Sequence, residues 1–262
     1  MKRVLLRVAY DGTGYHGFQA QNNAETIEGQ LNRAISKLTN VVNMELIGGS
    51  RTDAGVHARD NVVVFDTESS IPGEKFSYAL NQLLPDDIKI VHSEEVAGDF
   101  HPRHCDTVKT YEYHICNSEF ADPMKRFYSY YNYYPLNIDN MRKAAKYIEG
   151  EHDFTSFCTV GAQSDIKVRT VYSVEILAYS NREMFDGKVT KPREENVDIF
   201  IRVRGNGFLY NMVRIIAGTL MEVGRGSILP EEVEKIIEAK DRSKAGPTAP
   251  PEGLTLLKYE FV

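Results

Sequence analysis

The sequence GGSRTDAGVHA at residues 48–58 brings together side chains that could perform chemistry. It combines the cation Arg51, the carboxylate Asp53 and the imidazole His57 with three glycines. Glycine tolerates positive φ, so such a loop can turn sharply and present a side chain to a ligand. Three interpretations are open: an ordinary turn in which Asp53 accepts a backbone hydrogen bond, a phosphate-binding loop, and an active site with Asp53 as nucleophile.

Two nucleotide-binding motifs are only partly matched. A P-loop requires Lys and then Ser or Thr after its second glycine, but Val56 and His57 follow Gly55, so the phosphate-binding interpretation is rejected. The sequence GNGFLY at residues 205–210 begins like a dinucleotide-binding motif, but Tyr210 occupies the position of the third glycine. A nucleotide-dependent enzyme is therefore disfavoured.

Two further segments resemble a metal site and an RNA-binding strand. HPRHC supplies His101, His104 and Cys105 without a fourth ligand at standard spacing, and we predict no metal and no cofactor. RGNGFLYN at residues 204–211 resembles the RNA-recognition strand of RRM domains, although a helical period begins at Leu209. A non-catalytic RRM-like RNA-binding protein remains the alternative function.

The neighbours of Asp53 favour the catalytic interpretation. A nucleophilic carboxylate must be held on a tight loop and kept ionised by a cation. Arg51 lies two residues away, and Arg214 falls within an apolar helical segment, where an arginine is costly unless it is paired. We expect Arg214 to pair with Asp53 across two halves of the chain.

Composition limits the class of protein without identifying a partner. The chain has 262 residues, 42% hydrophobic and 26% charged, with a net charge of −6 and three cysteines, none in a C-x-x-C motif. These values, and a start without a signal peptide or membrane span, predict a globular cytoplasmic protein. Cations cluster locally, which leaves nucleic acid open as a partner. The clusters include Arg51, His57 and Arg59, and Lys167 and Arg169.

The periodicity predicts two α+β halves of β-α-β-β-α-β type, ferredoxin- or RRM-like, sharing an extended, mostly antiparallel sheet with helices packed on it and a central cleft. The halves are residues 1–105, which carry the Asp53 loop, and residues 106–262. A helix is predicted to bury Ile27, Leu31, Ala34, Ile35 and Leu38, and a longer one to follow Leu209. The charged residues 181–196 are predicted to form a solvated hairpin tip.

Blocks along essentially the whole chain resemble the tRNA pseudouridine synthase A (TruA) family. They occur in the order AYDGTGYHGFQAQ, GGSRTDAGVHA, DFHPR, KTYEYHI, GEHDFTSF, RTVYSV, GNGFLYNMVRIIAGTLMEVG and AKDRSKAGPTAPPEGL. Phe18 departs from the pattern, since the family often has tryptophan there. The resemblance implies isomerisation of uridine to pseudouridine in the tRNA anticodon stem-loop, at uridines 38, 39 and 40, without metal or cofactor.

The resemblance also implies roles for single residues. Asp53 is the nucleophile, attacking either the sugar or the base, and Tyr111 stacks on the target base and accepts the C5 proton. Arg214 pairs with the catalytic aspartate, and Arg51 fills the RNA helix when the base is flipped out. The remaining cationic clusters then contact RNA phosphates; they include His57, Arg59 and Arg169. A cytoplasmic homodimer bound to the tRNA anticodon arm, with no membrane partner, is expected.

Overall fold

The computed structural model describes residues 1–41, 44–159, 166–180 and 197–262. The predicted hairpin tip at 181–196 lies outside the described residues. The chain divides into two compact units, the first comprising Met1–Thr107 and Thr255–Val262, the second Val108–Leu254. Each unit is described separately.

The first unit is built on antiparallel strands with two helices inserted between them. Its elements are β1 (Lys2–Tyr10), α1 (Ile27–Thr39), β2 (Ile47–Gly48), β3 (His57–Thr67), α2 (Phe76–Leu80) and β4 (Ile88–Val96). Strand β1 lies between β3 and β4 and pairs antiparallel with both, and β2 pairs antiparallel with β3. The long β3 therefore begins within the last residues of the GGSRTDAGVHA loop and anchors its end.

Helix α1 forms where the apolar spacing predicts it. Thr26 caps its N-terminus, with the side-chain oxygen accepting from the Gly29 N–H at 3.2 Å. Asn40 ends it in the left-handed conformation at φ 58°. Its buried face comprises Ile27, Leu31, Ala34 and Ile35, while the predicted Leu38 is only partly buried.

The second unit has a four-strand antiparallel core and three helices among its described residues. Its elements are β5 (Thr107–Asn117), β6 (Tyr130–Asn132), α3 (Ile138–Ile148), β7 (Gly150–Asp153), β8 (Val168–Ser180), β9 (Val197–Gly205), α4 (Met212–Arg225) and α5 (Glu232–Ala239). The core order is β5-β9-β8-β7, all antiparallel, and β6 adds parallel to β5. In the parts of the chain described, the fold is mixed α+β with five α-helices and mostly antiparallel strands.

Two local features of the second unit follow from residue chemistry. The sequence alternates apolar residues at Val197, Ile199, Ile201 and Val203, which predicts a half-buried strand; in β9 the last three are buried and Val197 is partly buried. The long helix α4 begins at Met212 rather than Leu209. Asn211 adopts φ 62°, a left-handed conformation that Asn tolerates but that interrupts a right-handed helix.

The last strand, β10 (Leu254–Phe261), runs parallel to β3, with Thr255 opposite His57 and Leu256 opposite Ala58. The sequence places the join of the halves at residues 105 and 106, with this strand in the second half. The compact units divide between residues 107 and 108, and the first unit includes Thr255–Val262, which contains most of β10. Among the described residues, no helix is long and apolar enough to cross a membrane.

Candidate active site

Asp53 lies at a tight turn shortly before β3. The Val56 N–H donates to the Asp53 carbonyl at 3.2 Å, and Gly55 occupies φ 78°, which favours glycine. Asp53 is half-buried, whereas its neighbour Arg51 is exposed. The loop is therefore a turn closed through the Asp53 backbone carbonyl, and it places the carboxylate near the surface of the first unit.

The AYDGTGYHGFQAQ segment holds this turn from the outside. The Phe18 N–H donates to the Thr52 carbonyl at 3.0 Å, and the Gly55 N–H donates to the Tyr15 carbonyl at 3.2 Å. Gly17, at φ 96°, allows the close approach, since a Cβ there would lie 3.0 Å from the Thr52 oxygen. Two sequence blocks separated by 26 residues, 22–47, thus form one backbone-to-backbone clasp around Asp53.

A fully buried amide supports the same loop from behind. Asn61 Oδ1 accepts from the Ser50 N–H at 3.2 Å, and Nδ2 donates to the Ser50 carbonyl at 2.9 Å and to the Tyr10 hydroxyl at 3.1 Å. The Tyr10 hydroxyl is also 2.7 Å from Thr52 Oγ1. Because buried polar groups are costly when unsatisfied, this network fixes the backbone leading into Asp53.

Phe18 fits the position where the family often has tryptophan. Its ring is buried against Gly48, where a Cβ would come within 2.4 Å of Phe18 Cε1. Gly48 therefore makes room for the ring, and the loop that carries Phe18 is packed tightly.

The structure places the other first-unit candidates in two kinds of environment. Arg51 and Arg59 are exposed, consistent with cations available to an anionic ligand. His57 is only 4% exposed, and its Nδ1 accepts from the Gly12 N–H at 3.0 Å. Asp11 Oδ1 lies 3.2 Å from the same nitrogen. His57 is thus built into the loop structure of the first unit.

Tyr111 lies on β5 of the second unit, opposite Val203 of β9, and is 8% exposed. Phe208 packs edge-on against it, with ring centroids 5.3 Å apart and an interplanar angle of 88°. Phe208 follows the end of β9 and precedes α4, so RGNGFLYN does not place its aromatic residues along a strand as an RRM does. The RRM-like interpretation of this segment gains no support.

Arg214, near the start of α4, is half-buried and donates hydrogen bonds to Ala249 and Asn211. Its Nε donates to the Ala249 carbonyl at 2.7 Å, and one terminal nitrogen donates to Asn211 Oδ1 at 2.8 Å. The Ala249 N–H donates back to the Arg214 carbonyl at 3.1 Å. These bonds offset part of the cost of placing a guanidinium in an apolar helix, and sequence spacing gave no indication of Ala249.

Residues 242–249, which we call the α4 strap, place the Ala249 carbonyl against Arg214. Arg242 donates to the Gly246 carbonyl at 2.9 Å and to Thr248 Oγ1 at 3.1 Å. The Gly246 N–H donates to Thr219 Oγ1 at 2.9 Å, and a Cβ on Gly218 would lie 1.8 Å from the Pro247 oxygen. The AKDRSKAGPTAPPEGL block therefore lies directly against α4 and fixes the orientation of Arg214.

Arg169, predicted to contact RNA, lies near the start of β8. One terminal nitrogen donates to the Ile166 carbonyl at 3.0 Å and the Val168 carbonyl at 2.6 Å, and burial lowers the pKa of the guanidinium below its usual value. A guanidinium remains charged under such a shift, so Arg169 can still act as a cation.

The HPRHC segment forms a compact turn. The rings of His101 and His104 stack with centroids 3.8 Å apart, and Cys105 Sγ donates to the His101 carbonyl at 3.4 Å. Burial, followed by the nearby charge of His104, lowers the pKa of His101. Across the residues the structure describes, no group of three His, Cys, Asp or Glu side chains is placed to hold a metal ion.

The comparisons of this sequence with known proteins agree with one another. Residues 7–104 and 144–262 match the family model described as tRNA pseudouridine synthase. The chain is 47% identical, over all 262 residues and the full length of the relative, to tRNA pseudouridine synthase A of Thermoanaerobacter sp. (strain X514). It is 46% identical over 261 residues, covering both chains fully, to tRNA pseudouridine synthase A of Acetivibrio thermocellus.

Among solved structures, the chain is similar to a chain of the archaeal box H/ACA sRNP Nop10-Cbf5 complex. The alignment covers 93% of this chain and 60% of that one, at 13% identity and a TM-score of 0.33.

Proposed function

Because this chain belongs to the tRNA pseudouridine synthase family and is an isomerase of tRNA uridine, we propose that it acts in the anticodon stem-loop, at uridines 38, 39 and 40, with Asp53 as nucleophile. The reaction breaks the C1′–N1 bond, turns the uracil, and joins C5 to C1′; the C5 proton leaves to solvent and N1 takes up a proton. Substrate and product have the same atoms, so no oxidant or reductant is consumed.

The turn that presents Asp53 is the observation that carries the proposal. A nucleophilic carboxylate must be placed within contact distance of a target atom and kept from collapsing onto the protein. The clasp from Tyr15 and Phe18 and the amide of Asn61 fix the backbone on both sides of Asp53. That rigidity is what an attack on C1′ or on C6 requires.

Tyr111 and Arg214 are proposed to act on the same uridine. Tyr111 carries a phenol that can stack on a flipped base and accept the proton from C5. Arg214 keeps the Asp53 carboxylate ionised, and its own orientation is held by Ala249 and Asn211. Arg51 occupies the gap that the flipped base leaves in the RNA helix.

The wider proposal follows the resemblance of the sequence to this family. Two β-α-β-β-α-β halves share one sheet with a cleft, and Arg59 and Arg169 belong to the cationic clusters that face the RNA phosphates. The protein acts in the cytoplasm as a homodimer on the tRNA anticodon arm. Gel filtration with light scattering tests the dimer directly.

The decisive experiment measures tritium release from tRNA labelled at C5 of uridine. We expect release by the wild type and at least a 1,000-fold loss of rate, on the order of what removing a nucleophile costs, in Asp53→Asn. The tRNA affinity of that variant should be retained. Asp86→Asn, in which the replaced side chain is fully exposed, is the matched control and should remain active.

Three outcomes count against the proposal. If the wild type releases no tritium, the proposed reaction fails. If Asp53→Asn releases it at the wild-type rate, the reaction stands and the nucleophile assignment fails. If variants of Asp53 and Arg214 lose activity additively when combined, the proposed coupling of the two residues is wrong, because residues acting as one unit are non-additive.

A further inference from the structure

We propose that His57 is a positioning residue that locks the Asp11–Gly12 corner against the Asp53 turn. The proposal rests on the proposed role of Asp53 and adds a function for the one ionisable side chain of GGSRTDAGVHA that is buried. His57 begins β3, only four residues after Asp53, but its ring bonds to a segment more than forty residues earlier.

The His57 ring contacts both residues of this corner through one nitrogen. Nδ1 accepts from the Gly12 N–H at 3.0 Å, and Asp11 Oδ1 lies 3.2 Å from the same atom. Asp11 Oδ1 is itself fixed, since it accepts from the Thr13 N–H at 2.9 Å and from Thr13 Oγ1 at 2.6 Å. The corner therefore offers His57 a donor and an acceptor side by side.

Gly12 transmits this restraint to the Asp53 turn. A Cβ at Gly12 would lie 2.1 Å from the Val56 carbonyl oxygen, so the two backbones are in direct contact. The Val56 N–H in turn closes the turn on the Asp53 carbonyl. The Gly12 carbonyl also accepts from the Tyr15 N–H at 3.0 Å, and the Tyr15 carbonyl accepts from Gly55. A shift of Gly12 thus reaches the turn at Val56 and, through Tyr15, at Gly55.

Residue chemistry explains why histidine suits this position. The site is closed, with His57 4% exposed, and its Nδ1, two bonds beyond Cβ, accepts from the Gly12 N–H. Asparagine can replace this acceptor, because its Oδ1 is also two bonds beyond Cβ, and its Nδ2 can donate to Asp11. Alanine has neither, and glutamine carries its amide one carbon further out.

The experiment compares His57→Ala, His57→Asn and His57→Gln by steady-state tritium release, tRNA affinity and urea unfolding. We expect kcat to fall about 100-fold in the alanine variant, the loss associated with roughly 1 Å of misplacement, with KM and tRNA affinity within about threefold of wild type. Asparagine should restore kcat to within about tenfold of wild type, and glutamine should not. His92→Ala, which removes an exposed histidine of β4, is the control and should match wild type.

The results separate this inference from the proposed function. Wild-type inactivity would remove the function itself, whereas an active wild type with unchanged kcat in His57→Ala overturns only the positioning role. A folded asparagine variant as impaired as alanine also overturns it. If the loss appears in KM and tRNA affinity instead, His57 binds RNA and the inference is wrong. Should alanine fail to fold, the asparagine and glutamine variants decide the question.

Gly12→Ala gives an independent check through the other side of the contact. The added methyl must displace Gly12 from Val56, so kcat should fall as it does in His57→Ala. Because both changes break one contact, the double variant should lose much less than the product of the single losses. Multiplicative losses would show that the two residues act separately, against the proposal.

Discussion

The pKa of a carboxylate depends on the cations and hydrogen-bond donors around it. Asp198 on β9 is a clear case away from the candidate site. Its two oxygens meet His114 Nε2 at 2.9 Å and Lys125 Nζ at 2.5 Å. Burial opposes ionisation, but these two hydrogen bonds outweigh it, and the pKa of Asp198 is held below its usual value. The chain segment around Lys125 is thereby tied to the sheet of the second unit.

This carboxylate predicts a specific loss of stability in acid. Its folded-state pKa lies below the unfolded value of about 3.9, so the unfolded state binds more protons and stability is lost as the pH falls below about 4. One such group contributes a slope of at most about 1.4 kcal/mol per pH unit. We expect Asp198→Asn to flatten the pH dependence of the free energy of unfolding below about pH 4, measured by urea unfolding. Equal slopes in the two proteins would contradict this.

At the scale of elements, the α4 strap and helix α4 act together to orient Arg214. The strap begins with a short 3-10 helix, Arg242–Lys244, and is fixed by Arg242 from within and by Thr219 from the helix. Gly218 permits this contact, because its missing side chain leaves room for the Pro247 carbonyl. A glycine inside a helix costs about 1 kcal/mol relative to alanine, so close packing of the strap is the compensating gain.

Gly218→Ala should therefore lower activity although it raises helix propensity. The new Cβ would sit 1.8 Å from the Pro247 oxygen, so strap and helix must separate and the Ala249 carbonyl must leave Arg214. Overpacking costs about 1–3 kcal/mol against a propensity gain of about 1 kcal/mol, so we expect an unfolding free energy up to about 2 kcal/mol lower and at least a tenfold lower kcat. Gly98→Ala, where nothing lies within 4 Å of the added Cβ, is the control. A stabilised and fully active Gly218→Ala would refute the role of the strap.

At the scale of the whole molecule, the net charge of −6 opposes binding to a polyanion such as tRNA. Binding must then depend on local cations that displace counterions from the RNA, rather than on the total charge. Arg51 and Arg59 are exposed on either side of the turn that carries Asp53, which suits this purpose.

The salt dependence of tRNA binding tests this idea. The logarithm of the affinity should fall linearly with the logarithm of salt concentration, and removing one cation that neutralises a phosphate should reduce the slope by about 0.7–0.9. We expect Arg59→Ala to reduce it by about one such step, measured by filter binding at several salt concentrations. Lys143→Ala on the exposed face of α3 serves as the control. An unchanged slope for Arg59→Ala would exclude Arg59 from the residues that bind phosphate.

The sequence by itself determined the family, the reaction and most of the elements. GGSRTDAGVHA and the other blocks are recognised from their residues alone, without coordinates. Local periodicity likewise predicts α1 and β9, because helix and strand faces are set by neighbours a few residues apart. The predicted start of α4 is wrong, since the apolar period extends through Leu209 while the backbone turns at Asn211.

Only the tertiary structure decided how the candidate residues are held. The bond between His57 and Gly12, the Ala249 carbonyl on Arg214, and the pairing of β10 with β3 all join segments distant in the chain. Most of these contacts run through backbone N–H and C=O groups, which every non-proline residue possesses. Residue type therefore does not predict these contacts, and their partners are known only from the folded structure.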